Sequence, residues 1–196
     1  EGVLRERSPA LTFVRNAEWE HNNILASLLT AREHLGDGFV STYSDIVYDG
    51  AIVEQLARSP HAYVLGCDTA WRRRYVTRSR HPETDAEKLR ADGERVLEVS
   101  RHVSSEAAQG EFIGVMRLDA AAARRFVAAY DRAHAAFQGR VFREERRFER
   151  AYLIDLIQQQ LEEGEAIHRV DTHGGYMEID TEQDLALAER WWSSRP

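Results

Sequence analysis

A single cysteine, Cys67, stands among the 196 residues. One thiol forms no internal disulfide and builds no cysteine-based zinc site, so a reducing, cytoplasmic setting is expected. No stretch approaches the roughly 20 apolar residues that a membrane-spanning helix requires. The segment EGVLRERSPAL lacks the basic, apolar and small-residue succession of a secretory signal. Eight histidines include no H-x-x-x-H or H-E-x-x-H pair, so the sequence offers no zinc motif and these side chains are expected at the surface or at caps. Ser104-Ser105 lacks the context of a nucleophile elbow, and Cys67 reads as a small core residue. An excess of positive charge is missing too: 33 acids against 26 lysines and arginines give a net charge of −7. That balance argues against nucleic acid and anionic membrane as partners, while small anionic substrates stay open. No repeat, low-complexity run or linker divides the chain, and its length suits one well-buried domain.

The apolar patterning changes period several times. ALTFVRN reads as a strand, and NNILASLLTAREHL places Ile24, Leu28, Leu29 and Leu35 at helical spacing behind an asparagine cap. A strand in GFVSTYS, a short helix in AIVEQLAR and a strand in AYVLGC follow, and this alternation predicts a parallel α/β sheet. EKLRADGERVLEVS folds back around Asp92-Gly93 as a hairpin, and EFIGVMRL is a further strand. Asp119 caps the helix DAAAARRFVAAYDRAHAAF, and a second helix through ERAYLIDLIQQQLEEG stops at Gly164. AIHRV and YMEI are the last strands. Thr181 and Asp184 have capping-box spacing at the start of TEQDLALAERWW, a helix that Trp191-Trp192 would dock on the core. The basic segment from Trp71 to Arg80 reads as a mobile loop.

Two acids stand out by position. Asp45 falls just past the carboxyl end of a buried strand, and Asp180 follows a short strand immediately before a helix. In open α/β sheets ligands collect in the crevice at strand ends, where paired carboxylates suit Mg²⁺. A turn or cap role accounts for either residue equally well on these grounds.

Four stretches in order, Asn22-Asn23 with ILASLLTAREHL, then GFVSTYSDIVYD, GEFIGVMRL and YMEIDTEQDLALA, resemble successive landmarks of the nucleotidyltransferase family that includes phosphocholine cytidylyltransferases, phosphonate cytidylyltransferases and sugar-1-phosphate nucleotidyltransferases. The resemblance runs from about Leu11 to the C-terminus. It implies one Rossmann-like nucleotidyltransferase domain over residues 1–196, with a mixed, mostly parallel sheet flanked by helices. It also implies that Asp45 and Asp180 are the catalytic residues that hold Mg²⁺ on the nucleotide, with Glu178 on the same strand face as Asp180. Asn23 at its helix N-terminus and Glu111 at the head of EFIGVMRL are implied on the substrate side.

For the acceptor the residues leave two readings. Trp71, Tyr152 and Tyr176 with Glu178 could supply an aromatic and acidic box for a quaternary ammonium. The run WRRRYVTRSRHPETDAEK could instead be an anion clamp, led by Arg72, Arg78 and Lys88, unless it is a solvated face. This run resembles the cytidylyltransferases of phosphonate biosynthesis. CTP as donor and a small phosphonate or phosphocholine-like acceptor are therefore expected, with a sugar-1-phosphate nucleotidyltransferase or a non-catalytic regulatory module as the alternatives. One family element is absent, the glycine-rich strand-loop-helix whose backbone N–H groups grip the triphosphate. The chain is accordingly expected to match the C-terminal two-thirds of the family unit, with an apolar sheet edge for further residues, or a second copy in a homodimer, to cover.

Overall fold

A computed structural model describes residues 2–8, 10–143 and 146–194. After a short helix α1 (Gly2–Arg7), the strand expected at ALTFVRN does not form. Alternating side chains make a strand only beside a ladder partner, and residues 10–16 have none and lie mostly exposed. Asn23 caps α2 (Ile24–Leu29) by accepting the Ile24 N–H at 2.8 Å. The predicted helix then breaks early: the Thr30 hydroxyl donates to the Ser27 carbonyl at 2.6 Å, and a tighter turn, Arg32–His34, completes the segment.

The next elements follow the predicted order. They are β1 (Gly38–Thr42), β2 (Ile46–Tyr48), α3 (Gly50–Arg58), β3 (Tyr63–Asp68) and α4 (Arg72–Tyr75). The hairpin β4 (Lys88–Asp92) and β5 (Arg95–Ser100) turns at Gly93, whose φ of 56° favours glycine. β6 (Gly110–Asp119) leads into α5 (Ala120–Phe137), capped as predicted by Asp119, which accepts the Ala122 N–H at 2.8 Å. A small ribbon, β7 (Val141–Arg143) with β8 (Arg146–Arg147), precedes α6 (Leu153–Glu162). The chain closes with β9 (His168–Thr172), β10 (Tyr176–Glu178) and α7 (Glu182–Ser193).

The main sheet runs β1-β6-β3-β9-β5-β4, and its direction corrects the expectation. Only β3 and β9 pair parallel among the described residues; β6 is antiparallel to β1, β3 and β4, and the hairpin adds another antiparallel pair. The alternation of strands and helices could not show that β6 inserts between β1 and β3 in the opposite sense. Because β4 returns to β6 at Lys88↔Glu111 and β5 touches β9 at Arg95↔His168, five of the strands close into a ring. β1 keeps one edge without a ladder partner among the described residues.

Side chains of β6 alternate between two cores. Phe112, Met116 and Leu118 face the cluster built with α2, α5 and α6, while Ile113 and Val115 face the one built with α3. A fully buried ring such as Phe126 contributes about 2–3 kcal/mol to this packing. The basic segment is not a free loop: Trp71 and Tyr75 are buried together with Ala86, and Arg78 is 5% exposed. At the other end Trp192 is 53% exposed, so α7 docks through Asp184 and Ala188 and not through that tryptophan.

Candidate active site

The site forms where β2 and β10 make a small second sheet beside the ends of β3 and β6. Ile46 pairs with Glu178, and the Ile179 N–H donates to the Asp45 carbonyl at 2.8 Å. This ladder brings Asp45 and Asp180 to one cavity of about 180 Å³, which Asn23, Glu111, Tyr152 and Glu178 also line. Arg72, Arg78, Lys88 and Trp71 do not line it.

Each of those absences has a cause. Arg72 is exposed on α4. The Lys88 ammonium is buried and donates to the Ala86 carbonyl at 3.4 Å. Arg78 is committed below the cavity floor: its Nε donates to Asp184 Oδ1 at 2.7 Å, and its Nη1 lies 3.8 Å from Glu178. Arg74, from the same run, is enclosed between Asp68 and Glu111 and lies 4.2 Å over the Tyr176 ring. Asp68 is wholly buried and also accepts the N–H groups of Ala70 and Gly174, while Glu111 accepts the Tyr75 hydroxyl at 2.7 Å. Glu111 therefore meets the cavity with its charge already answered.

Glu178 and Asp180 are less well answered. Burial, then the neighbouring Asp180, pushes the Glu178 carboxyl up to about 8. Burial also raises Asp180; His81 opposes that shift and Asp45 adds to it. His81 is buried, contrary to the surface position expected for histidines here. Arg78 Nη2 can only donate, so its 2.6 Å contact makes His81 Nδ1 the acceptor and leaves the ring proton on Nε2, facing Glu178 at 3.6 Å. Nδ1 and Asp180 Oδ2 then confront each other at 3.0 Å as two lone-pair donors. A proton on Asp180, or a cation held by its carboxylate, relieves that contact. His81, Glu178 and Asp180 each offer an atom within 4.8 Å of the others, but the one Nδ1 lone pair is taken by Arg78, so the oxygens of Glu178 and Asp180, with Asp45 lining the same cavity, are the donors that suit a divalent cation.

The opposite wall comes from β1 and the hairpin. Gly114 has a φ of 72°, and a Cβ there would meet the Tyr43 ring at 2.4 Å, so glycine lets Tyr43 lie across β6. From that position the Tyr43 hydroxyl donates to Glu87 Oε2 at 3.0 Å. Burial raises Glu87 to about 7, although Arg101 counteracts it.

No family model matches the sequence. A curated relative, the CTP:phosphoglutamine cytidylyltransferase of Campylobacter jejuni, is 20% identical over 182 residues, covering 89% of this chain and 70% of its own length. Among solved structures, the inositol-1-phosphate CTP transferase of T. maritima superposes with a TM-score of 0.64 at 16% identity, covering 91% of this chain and 64% of its own. The CTP:phosphocholine cytidylyltransferase of Streptococcus pneumoniae gives 0.67 at 20% identity, covering 97% and 72%. The chain has the nucleotidyltransferase fold. The resemblance read in the sequence stands, and the chain spans about two thirds of the length of these relatives.

On this nucleotidyltransferase fold, sequence reasoning missed Tyr43, Asp85, Glu87 and Arg101 at the cavity, and it read His81 only as one of the basic residues of the arginine run. A signal existed for one of them. Arg101 directly follows the last residue of a predicted strand, the position that marks Asp45, but the strand-end rule holds for open parallel sheets and Arg101 ends an antiparallel hairpin. Nothing in the spacing marks the role of His81, because its acidic partners Glu178, Asp180 and Asp184 lie about 100 residues away.

Proposed function

We propose that the chain is a nucleotidyltransferase that moves CMP from CTP to a small acceptor bearing a phosphate or phosphonate group, releasing pyrophosphate. The observation that carries this reading is the convergence of Asp45 and Asp180 on one cavity of a fold similar to two CTP transferases. An acceptor oxygen on phosphate or phosphonate is already anionic near neutral pH, so the reaction needs alignment and charge neutralisation more than a general base. Asp45 and Asp180, with Glu178 beside them, would hold Mg²⁺. Bound there, the ion supplies positive charge next to the nucleotide phosphates. Arg78 and His81 keep Glu178 and Asp180 in place from below, and Asn23 stands at the cavity rim with its Oδ1 spent on the helix cap.

Aromatic faces favour the anionic acceptor over a quaternary ammonium. Tyr152 already receives the guanidinium groups of Arg101 and Arg146 at 4.2 and 4.1 Å, and Tyr176 receives Arg74. Trp71 is buried away from the cavity. The test is pyrophosphate release with CTP, UTP, dTTP and ATP against phosphonates, phosphocholine and sugar 1-phosphates, with and without Mg²⁺. CTP with a phosphonate or small phosphate is the expected pair. Preference for a sugar 1-phosphate with UTP or dTTP would overturn the cytidylyl reading, and no release with any pair would overturn the enzymatic one.

A further inference from the structure

The arginine run from Trp71 to Arg80 is the place the sequence offers for an anionic acceptor, yet the cavity contains a different cation. Arg101, which follows β5, is the one lysine or arginine that lines it among the described residues. Three observations describe its setting, and the second sets it apart from Arg74 and Arg78. Its guanidinium lies 4.2 Å over the Tyr152 ring, which fixes the plane of the fork. Its nearest carboxylate oxygen, Glu87 Oε1, is 3.8 Å from Nη2, beyond hydrogen-bonding distance, because the other Glu87 oxygen is turned to the Tyr43 hydroxyl. Its Nε is buried and has no hydrogen-bond partner. Arg74 and Arg78 each keep one buried nitrogen without a partner as well, but each donates to a wholly buried aspartate, whereas the nearest carboxylate to Arg101 stands beyond hydrogen-bonding distance at a cavity whose remaining charges are negative.

A buried guanidinium donor without an acceptor is costly, and an oxyanion with two oxygens matches the fork. From this geometry we infer that Arg101 binds the anionic head of the acceptor, a phosphonate or phosphate, on the wall opposite Asp45 and Asp180. The inference rests on the nucleotidyl-transfer reading for the identity of that anion as acceptor. In this arrangement one charge of the acceptor is neutralised by Arg101, and its free oxygen is directed toward the wall where the nucleotide phosphates would lie. Acceptor selection then belongs to the hairpin and Tyr152, and the arginine run serves as scaffold.

Two measurements test this separately from the reaction itself. The first is calorimetric titration of the full chain with methylphosphonate in Mg²⁺, for wild type, Arg101→Gln and Arg101→Lys, with each thermal midpoint recorded. Arg101→Gln should weaken methylphosphonate at least about tenfold, and Arg101→Lys, which keeps the charge but loses the fork, should fall between. If Arg101→Gln unfolds with the loss of its Tyr152 contact, the Arg101→Lys variant decides: binding as tight as wild type would overturn the fork. The second is steady-state pyrophosphate release, where Arg101→Gln should raise the acceptor KM by a similar factor while the CTP KM stays within about twofold. No methylphosphonate binding by wild type, equal binding by folded Arg101→Gln, or a larger loss in Arg72→Gln would each overturn the inference. Binding through Arg101 without pyrophosphate release from any pair would leave the anion site standing and remove the transferase reading.

Discussion

Two groups of acids at neighbouring strand ends meet arginines from the same short run and end in different states. Asp68 and Glu111 enclose Arg74, and backbone N–H groups and the Tyr75 hydroxyl complete their hydrogen bonds. Glu178 and Asp180 have Arg78 and His81 below them, but Arg78 spends its hydrogen bonds on Asp184 and His81, and His81 turns the accepting nitrogen toward Asp180. The first group is almost wholly buried and both its carboxylates bond directly to one arginine; the second stands at the cavity without, among the described residues, a direct hydrogen bond from a cationic side chain to either Glu178 or Asp180. A carboxylate beside an arginine is therefore scaffold or site according to whether the local donors are sufficient, and counting charges along the sequence cannot tell them apart.

The contrast can be broken from either side. The largest effect is expected at the unbalanced group: Asp180→Asn should lower pyrophosphate release on the order of 10²- to 10³-fold while the thermal midpoint holds or rises, since one uncompensated acid is gone. A fall in midpoint with normal turnover would place Asp180 among the scaffold. Arg74→Gln acts on the balanced group and should destabilise the fold by about 3–5 kcal/mol in urea unfolding, because it leaves buried Asp68 and Glu111 without their cation. A loss below about 1 kcal/mol would show that the network is not closed.

Stability against pH sharpens the difference. Glu178 holds its proton to about 8 in the folded chain against an ordinary value of 4.5, so the folded state binds more protons than the unfolded one across that window. Stability of the metal-free protein should then fall as pH rises from about 4.5 to about 8 and level off above. Glu178→Gln should flatten the decline, and Mg²⁺ should restore most stability at the alkaline end. A midpoint that climbs over this window in the wild type would contradict the assignment. The smallest effect belongs to Thr181→Ala, which removes the hydroxyl that donates to Asp184 and caps α7. A loss of about 1 kcal/mol is expected, with the acceptor KM unchanged.

Most elements were legible because local chemistry dictated them. Asp119 and Thr181 cap the helices assigned to them, Gly93 turns the hairpin, and the buried strand Tyr63–Asp68 reads as a continuous apolar run. Sheet direction was not legible, since the antiparallel insertion of β6 is a long-range event without a local marker. The same holds within the site. Asp45 and Asp180 stand out by their positions next to strands and are assigned to the site through the family resemblance, whereas the roles of Arg74, Arg78 and Arg101 depend on which acids the fold sets beside each one. Two arginines of one run became buried struts, and one that follows a hairpin strand became the cavity-facing fork.

Asp184 takes part in two structures at once. One of its oxygens accepts the Thr181 N–H and hydroxyl at the start of α7, and the other accepts Arg78 beneath the cavity. The first turn of the last helix and the floor of the cavity therefore open together or not at all. Unwinding of that turn would release Arg78 and with it the support of Glu178, so amide exchange near Leu185 and divalent-cation affinity are thermodynamically linked. An ion that tightens the cavity should slow exchange in a helix that does not touch it, and by reciprocity a clipped α7 should bind the ion more weakly.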